Sequence, residues 1–392
     1  MRYRKFKADQ LFTGHEMLNG DHVLIMNDTG IFESITTSEN AGENVEILNG
    51  LISPGFINAH CHLELSHLKG LIPKHTGLVD FVFKVVTERH FDESEIIKSI
   101  AVAESEMLEN GIVATGDICN NLFSILQKET SGMNYYNFIE CSGWAPAVAD
   151  ARFVGSKLFY DEFVNKFPST SMVPHAPYSV SDQLWKNIIP YFKNKVVTIH
   201  NQETSYEDEY FLKGTGDLLR MYQMMNIDTS FFKPSFSSSI KTYFKKLEQA
   251  KNIILVHNTF INEEDINYIK ENTNQHQLVS FCICINANLY IENAIPPVEL
   301  LREKNCNIIL GTDSLASNDQ LSILEEMKTL GKNFPTIPMP ELLSWATING
   351  ARALDMENNL GSFEPNKSPG VVLIDHIENE RISKYSSSKR IM

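Results

Sequence analysis

The stretch LISPGFINAHCHLE (residues 51–64) decides the fold, because an almost wholly apolar run ends there in two histidines one residue apart. Strands that are buried on both faces of a sheet have this apolar character. Seven more short runs rich in β-branched residues follow, with helix-like segments between them. This alternation predicts parallel strands joined by helices. The eight runs lie at 51–60, 112–118, 135–141, 171–176, 195–200, 252–257, 278–283 and 306–313.

Helical periodicity fills the intervals between these runs. Asp92 is placed to cap a helix over SEIIKSIAVAESEMLEN, in which Ile97 and Ile100 fall on one face and after which Gly111 provides the stop. INEEDINYIKEN, PPVELLREKN and LSILEEMKTL show similar patterns. Eight strands with helices between them predict an α/β fold, specifically a (β/α)8 TIM barrel. A doubly wound open sheet is the alternative, although no G-x-G-x-x-G follows the first strand.

The two ends of the chain have a different pattern. Residues 1–50 contain short alternating pieces, and GSFEPNKSPGVVLID (361–375) has the pattern of two short strands about a turn. We therefore predict a small β-sandwich domain built from both termini, residues 1–50 plus 356–392. The barrel domain is predicted to span residues 51–355.

Composition and charge restrict the function classes. The chain has 392 residues, a formal net charge of −15 and a pI near 5.3. Such a chain repels phosphate backbones and anionic membranes, so we expect small-molecule partners and neither nucleic acid nor membrane. No apolar stretch approaches the roughly 20 residues of a membrane span, and no apolar region follows the basic start. The six cysteines show no CxxC pair, which favours reduced thiols and a cytoplasmic location.

Histidines collect at the ends of the predicted strands, with one aspartate at the end of the eighth. In a barrel the C-terminal ends of all strands point to one face, where active sites lie. Residues that are remote in sequence should therefore meet there. These residues are His60, His62, His175, His200, His257 and Asp313.

The pair His60 and His62 indicates a metal site. Alternation along a strand places both imidazoles on one side, and two nitrogens on one side suit zinc or iron. An isolated H-x-H is more often two packed or surface histidines. Adding His200 and Asp313 gives three imidazoles and a carboxylate with room for water, as catalytic zinc sites require.

Two more residues are candidates for proton transfer. Glu203 follows His200 by three residues and could move a proton between water and a substrate nitrogen. It could equally be a solvated acid, since SYEDEY just downstream is also acidic. His257 could orient the attacking water, although a lone histidine on an apolar strand is more often a core residue bonded to a carbonyl.

At PGFINAHCHLE, TIHNQET, LVHN and LGTDSLASN the chain resembles the amidohydrolase superfamily. It is most similar to the branch of cytosine, guanine and adenosine-type deaminases and chlorohydrolases. The resemblance covers nearly the whole chain, and the four motifs in this order are highly specific together. HAPYS (175–179) resembles the H-A-P-Y-[TS] of deaminases acting on adenosine-like substrates, and the H-x-H-L-E pattern is shared with aminofutalosine deaminases.

This resemblance implies a barrel with a small β-sandwich and one divalent metal, zinc first and iron as the alternative. Two-metal relatives carry a carboxylated Lys on the fourth strand, which reads SMVPHAPYS here and has no Lys. The implied roles are proton shuttling by Glu203, assistance to the attacking water by His257 and acceptance of its proton by Asp313. The implied metal ligands are His60, His62, His200 and Asp313.

The resemblance also implies substrate contacts from the strand ends and their loops. His175 would contact substrate, and Glu64, Ser179 and Asn288 are further candidates. Many relatives carry C-P-x-S-N after the seventh strand, whereas residues 284–288 here read CINAN. The change leaves the implied ligands untouched and alters the expected substrate wall.

Together these observations predict a metal-dependent hydrolase of non-peptide C–N bonds that deaminates an aminated heterocycle such as a purine, pyrimidine or nucleoside. Hydrolysis of a cyclic amide or displacement of chloride on the same metal site is the main alternative. A non-catalytic metal-binding barrel is a second alternative from another class. The family resemblance also raises the expectation of a homodimer.

Overall fold

A computed structural model describes residues 2–392, which form 19 strands and 14 α-helices. The strands are β1 (Tyr3–Lys7), β2 (Gln10–Phe12), β3 (Met17–Asn19), β4 (His22–Asn27), β5 (Phe32–Thr37), β6 (Val45–Ile47), β7 (Leu51–Pro54), β8 (Phe56–Cys61), β9 (Ile112–Cys119), β10 (Asn134–Cys141), β11 (Thr170–Pro174), β12 (Val196–Asn201), β13 (Asn252–His257), β14 (Leu278–Ile283), β15 (Asn307–Leu310), β16 (Val371–Ile374), β17 (Ile377–Glu378), β18 (Arg381–Ile382) and β19 (Ser388–Arg390).

The helices follow the barrel strands, as the sequence periodicity predicts. The side chains of Asn262 and Ser322 accept hydrogen bonds from backbone amides in the first turns of the helices that follow them. They therefore act as the N-cap residues of these helices. The helices are α1 (Leu78–Glu88), α2 (Glu93–Glu109), α3 (Ile125–Thr130), α4 (Ala149–Lys166), α5 (Asp182–Ile188), α6 (Ser205–Lys213), α7 (Leu218–Met224), α8 (Ser239–Tyr243), α9 (Glu263–Asn272), α10 (Ile285–Ile291), α11 (Val298–Glu303), α12 (Ile323–Asn333), α13 (Met339–Ala346) and α14 (Ile348–Ala353).

Eight parallel strands, β8 to β15, form the centre of the molecule and are called the barrel below. They make two four-stranded sheets, β8-β9-β10-β11 and β12-β13-β14-β15, in which every pairing is parallel. Nearly every residue of these strands is buried, because helices cover their outer faces and side chains fill the interior. The predicted α/β class with eight strands is confirmed.

The hydrogen-bonded ladder is interrupted at two seams, and both seams lie beside predicted site residues. At the first seam, the amides of Thr312 and Asp313 both donate to the carbonyl of His60, each at 3.1 Å. At the second, the amide of His200 donates to the carbonyl of His175 at 2.9 Å. The barrel therefore consists of two sheets joined by a few hydrogen bonds at the edge where its histidines project.

Two predicted strands need correction. The run 51–60 is divided at Gly55, so that β7 joins a terminal sheet and only β8 belongs to the barrel. The run 306–313 contains only four strand residues, Asn307–Leu310. Asp313 lies in the loop beyond, with a left-handed φ of 56°, because the chain must turn there to place its carboxylate over the barrel.

Both termini contribute to the remaining sheets. One has the order β5-β4-β1-β6 and the other the order β19-β16-β7-β2-β3, while β17 and β18 form a hairpin. The prediction of two strands within 361–375 is wrong, since only β16 forms there. Pro365 and Pro369 lack the amide hydrogen that a central ladder needs.

Two further observations concern the cysteines and the lengths of the helices. All six cysteines are free, and five of them are buried. No helix within residues 2–392 is both long enough and apolar enough to cross a membrane.

Candidate active site

Five predicted residues converge at the C-terminal edge of the barrel. The Nε2 atoms of His62 and His200 lie 3.4 Å apart, and Asp313 Oδ1 is 3.4 Å from His62 Nε2 and 3.5 Å from His60 Nε2. The ring of His257 lies 5.4 Å from that of His200, measured between centroids. Side chains separated by more than 250 positions in sequence thus surround one small volume.

The side chains gathered at this edge are suited to binding a divalent cation. His60 is fully buried, and neither of its ring nitrogens has a hydrogen-bond partner among residues 2–392. Buried polar atoms are normally satisfied, so an unpartnered imidazole indicates a missing partner such as a metal ion. Ligand atoms of His60, His200, His257 and Asp313 all lie within 4.8 Å of one another. His62 is also close, since its Nε2 lies 3.4 Å from both His200 Nε2 and Asp313 Oδ1. The geometry therefore allows either His62 or His257 as the fourth ligand beside His60, His200 and Asp313.

Hydrogen bonds orient two of these groups toward the common centre. His200 Nδ1 contacts the carbonyl of His175 at 2.8 Å, which places the proton on Nδ1 and leaves Nε2 free. Ser317 Oγ donates to Asp313 Oδ2 at 2.5 Å, which leaves Oδ1 toward the histidines. Both arrangements are typical of the outer contacts that hold metal ligands in place.

Burial keeps the imidazoles neutral. It lowers the pKa of His62 to about 3, and it lowers the pKa of His200 well below its usual value, with the neighbouring imidazoles adding to the effect. Burial opposes ionisation of Asp313, but the imidazoles of His60 and His62 outweigh it and hold the pKa of that carboxyl well below its ordinary value. Neutral imidazoles and an ionised carboxylate are the forms that bind metal.

Glu203 lies over the same centre on the loop that leaves β12. Its Oε1 is 3.5 Å from His257 Nε2, and it is 5% exposed. Burial first, and the Asp313 carboxylate second, raise the pKa of Glu203 well above its ordinary value. A carboxyl that keeps its proton near neutral pH can act as a general acid.

His257 ends β13 with a left-handed φ of 73°. Its Nδ1 donates to Asn288 Oδ1 at 2.8 Å, so its Nε2 carries the lone pair and faces Glu203. Burial lowers the pKa of His257. A neutral imidazole in this orientation can accept a hydrogen bond from a water molecule in the site.

The predicted substrate residues fall into two groups. Ser179 and Asn288 contact other site histidines, since Ser179 Oγ lies 2.7 Å from His175 Nδ1 and Asn288 bonds to His257. His175 is partly exposed, and burial of its ring first, with the neighbouring imidazoles of His60 and His257 second, lowers its pKa to about 4. Glu64 accepts the amide of Asn120 at 2.9 Å, and burial raises its pKa to about 7.

The sequence interpretation missed two acids at this edge. Glu140 precedes the last residue of β10 and Asp117 lies near the end of β9, so the rule that selected the histidines also applied to them. Glu140 Oε1 lies 3.8 Å from His200 Nδ1 and has no hydrogen-bond partner in the described chain. Glu140, His175 and His200 are close enough to suggest a second metal site. The proton on His200 Nδ1 excludes that reading, because the nitrogen already donates to a carbonyl.

An apolar cluster covers this side of the molecule. Its residues come from segments that follow six different barrel strands, and the rings of Trp144 and Tyr222 stack with centroids 5.8 Å apart. Arg220 joins α7 to α1 by two hydrogen bonds to Asp80, at 2.7 and 3.1 Å. Such a covering excludes water from the chemistry beneath it. The cluster includes Leu65, Leu68, Ile72, Leu78, Trp144, Tyr178, Tyr210, Phe211 and Tyr222.

Comparison with known proteins places this geometry in a family. The Amidohydrolase family pattern matches residues 51–391. The chain is 26% identical over 393 aligned residues to the 5-methylthioadenosine/S-adenosylhomocysteine deaminase of Saccharophagus degradans, covering 94% of this chain and 82% of that protein. It is 25% identical to the adenosine deaminase of Helicobacter pylori, covering 86% of this chain and 81% of that one.

Solved structures show the same fold. Helicobacter pylori aminofutalosine deaminase in complex with methylthio-coformycin superposes with a TM-score of 0.78 at 23% identity, covering 96% of this chain and 93% of that one. Guanine deaminase from C. acetobutylicum with bound guanine gives 0.68 at 16% identity, covering 95% and 91%. Atrazine chlorohydrolase from Arthrobacter aurescens, complexed with zinc, gives 0.71 at 14% identity, covering 94% and 86%.

Proposed function

Because this chain belongs to the amidohydrolase family, we propose that it removes ammonia by hydrolysis from the ring of an adenosine-like substrate. The observation that carries the proposal is the position of a buried acid beside the ligand cluster, since Glu203 Oε1 lies 3.5 Å from His257 Nε2. The curated relatives named above are deaminases of adenosine-type compounds. Deamination of an aminated heterocycle requires a proton donor at this position and accounts for the site better than structural metal binding does.

We propose that His60, His62, His200 and Asp313 hold one divalent ion, zinc first and iron as the alternative. Such an ion lowers the pKa of water toward about 7 and so prepares it for attack. The argument for His62 over His257 as the fourth ligand is that His257 Nε2 faces Glu203 while its Nδ1 is held by Asn288. His257 is then free to orient the attacking water.

The protein residues move the protons. Asp313 Oδ1, oriented by the Ser317 contact to Oδ2, accepts a proton from the attacking water. Glu203 donates its proton to the ring nitrogen next to the carbon under attack, which makes that carbon more electrophilic. Glu203 then takes back the hydroxyl proton as the ring carbonyl forms, and the departing amine receives the proton that Asp313 accepted, so that ammonia leaves and both carboxyl groups regain their starting protonation. General acid–base help of this kind contributes about 10²–10⁴-fold.

Substrate contacts belong to His175 and Glu64 in this proposal, with Ser179 and Asn288 acting through the histidines that they touch. Ser179 fixes the ring of His175, and Asn288 fixes that of His257. The apolar cluster above them excludes water from the bound ring. A cytoplasmic location and a homodimer remain predictions from the sequence.

The experiment combines metal content with ammonia release. Metal-loaded protein is assayed against adenosine-, adenine-, guanine- and cytosine-type amines, a cyclic amide and a chlorinated triazine. Ammonia release from an adenosine-like amine is expected. Activity confined to the cyclic amide or the chlorotriazine would identify the alternative chemistry, and a metal-replete protein without any activity would favour a non-catalytic barrel.

Variants separate ligands from proton donors. Glu203→Gln should keep the metal and lose at least about 10²-fold in kcat, because the amide cannot donate an acidic proton. His200→Ala should lose both metal and turnover. His62→Ala should lose metal, whereas His257→Ala should retain it and lose turnover. The reverse result for the last pair would exchange their proposed roles.

A further inference from the structure

A buried ion pair lies behind the proposed metal site. Lys128 Nζ is 2.5 Å from Asp117 Oδ2, and the two side chains are 0% and 1% exposed. Removing two charges from water costs several kcal/mol per ion before their attraction is counted. Buried ion pairs are therefore weak evidence for stability, and this one calls for another explanation.

The ammonium group of Lys128 is surrounded by neighbouring side chains in addition to Asp117. Its ammonium group donates to Asn137 Oδ1 at 2.9 Å and contacts Cys119 Sγ at 3.2 Å. It also lies 4.8 Å from the ring centroid of Tyr135. Burial alone would lower the pKa of Lys128, but the Asp117 carboxylate outweighs it and raises that pKa, so the amine keeps its proton. The charge of Lys128 is therefore paired with Asp117, and this fully buried side chain does not contact a substrate.

The second oxygen of Asp117 connects the pair to the site. Asp117 Oδ1 accepts the amide of Leu63 at 2.8 Å. Leu63 lies between His62 and Glu64 and begins a 3₁₀ turn that runs to Leu68. His62, which precedes the turn, makes no capping hydrogen bond with its side chain. Asp117 thus supplies from another strand the acceptor that the first amide of this turn needs.

We propose that Asp117 is a positioning residue, whose carboxylate fixes the backbone between His62 and Glu64, and that Lys128 holds this carboxylate in the orientation that the contact requires. The proposal rests on the metal site described under the proposed function. It explains why a costly pair is retained, because the backbone that it holds carries a proposed metal ligand on one side and a proposed substrate contact on the other.

The test separates the hydrogen bond from the charges. Asp117→Asn with Lys128→Met removes both charges but leaves an amide oxygen that can accept from Leu63. Asp117→Leu with Lys128→Met removes the charges and the acceptor. Neither double variant leaves an unpaired buried charge, and such replacements are often neutral for folding. If the leucine variant does not fold, Asp117→Val with Lys128→Met replaces it, because valine suits a strand.

Metal affinity is the main measurement. Stripped protein is titrated with Zn²⁺ against a chromophoric chelator, and with Co²⁺ for its absorption spectrum. The asparagine double variant should resemble wild type in both. The leucine variant should bind about 10–100-fold more weakly, the usual effect of removing an outer contact of a ligand, with an altered Co²⁺ spectrum.

Glu104→Gln is the matched control. Glu104 is a buried acid on α2 whose side chain bonds to Gln127 and Tyr135 and makes no hydrogen bond to residues 62–64. It should change stability without changing metal affinity. Equal affinity in the two double variants would overturn the positioning role. A wild-type protein that binds neither metal would instead overturn the proposed metal site, so the two failures are distinguishable.

Discussion

Glu64 illustrates how burial at one residue couples protonation to stability. Burial raises its pKa from 4.5 to about 7, so between these values the folded protein holds a proton that the unfolded chain releases. The free energy of unfolding of the metal-free protein should therefore fall as the pH rises from about 4.5 to 7, by at most about 1.4 kcal/mol per pH unit for this group. Urea unfolding at several pH values measures the slope.

The variant Glu64→Gln should flatten this dependence without abolishing it. Glu140 is raised to the same pKa of about 7 by burial and contributes a slope of the same sign. Glu109→Gln is the control, because that residue is exposed on α2. A Glu64→Gln protein that keeps the full wild-type slope would show that Glu64 is already ionised in the folded protein well below pH 7.

At the residue scale, the sequence identified the histidines but not the acids that position them. His60, His62 and His200 were recognisable because histidine at a strand end is uncommon. Asp117 and Glu140 also lie near strand ends, but an acid there usually indicates a solvated loop. Their burial depends on partners from distant segments, such as Lys128, which no local spacing reveals.

At the scale of elements, the loop between β12 and α6 holds the proposed acid in place. Gln202 precedes Glu203, has a left-handed φ of 44°, and donates its amide to Glu207 Oε1 at 3.1 Å. Its side chain donates to Asp208 Oδ2 at 2.9 Å and to Asp265 Oδ2 at 2.7 Å. Helices α6 and α9 thus hold Gln202 in place, and Gln202 lies in the chain between the proposed ligand His200 and the proposed acid Glu203.

Gln202→Ala should lower the free energy of unfolding by about 1–3 kcal/mol, because the buried carboxylate of Asp265 and the half-buried one of Asp208 lose a donor. The wild-type glutamine already bears the cost of the left-handed backbone, so alanine changes only the side-chain bonds. Chemical denaturation measures the loss, and Gln223→Ala on the exposed face of α7 should change it by less than about 0.5 kcal/mol. Equal stability of the two variants would mean that water replaces the amide without cost.

The positions of the barrel strands could be predicted from the apolar runs in the sequence. Six of the eight predicted strands match their observed counterparts to within a residue or two at each end, because helices cover both flanks of a parallel sheet and keep its strands apolar. The first and last runs were wrong in extent. Their apolar residues continue beyond the barrel, into a terminal sheet at Leu51–Pro54 and into the buried loop that carries Asp313.

At the scale of the whole molecule, the terminal sheets and the barrel meet at Gly55, between β7 and β8. Its amide donates to the carbonyl of Pro369 at 3.0 Å. A Cβ atom at this position would lie 2.3 Å from a methyl group of Val113 and 2.7 Å from the Pro369 carbonyl oxygen. The sequence pattern assigned Leu51–Pro54 to the first barrel strand and gave no sign of this close approach, since it depends on residues more than 300 positions apart.

Gly55→Ala should therefore destabilise the protein by about 1–3 kcal/mol through overpacking, since the Pro369 backbone cannot move aside as a flexible side chain could. The strain falls on the residue before β8, so the stripped variant should also bind Zn²⁺ more weakly at the end of that strand. Gly155→Ala is the control, because nothing lies within 4 Å of its added methyl group and alanine favours the helix α4 by about 0.5–1 kcal/mol. Urea unfolding of both variants and zinc titration of the folded proteins give the comparison. If Gly55→Ala were as stable as wild type, the terminal sheet could shift without disturbing the strand that carries His60, and the two parts would be only loosely coupled.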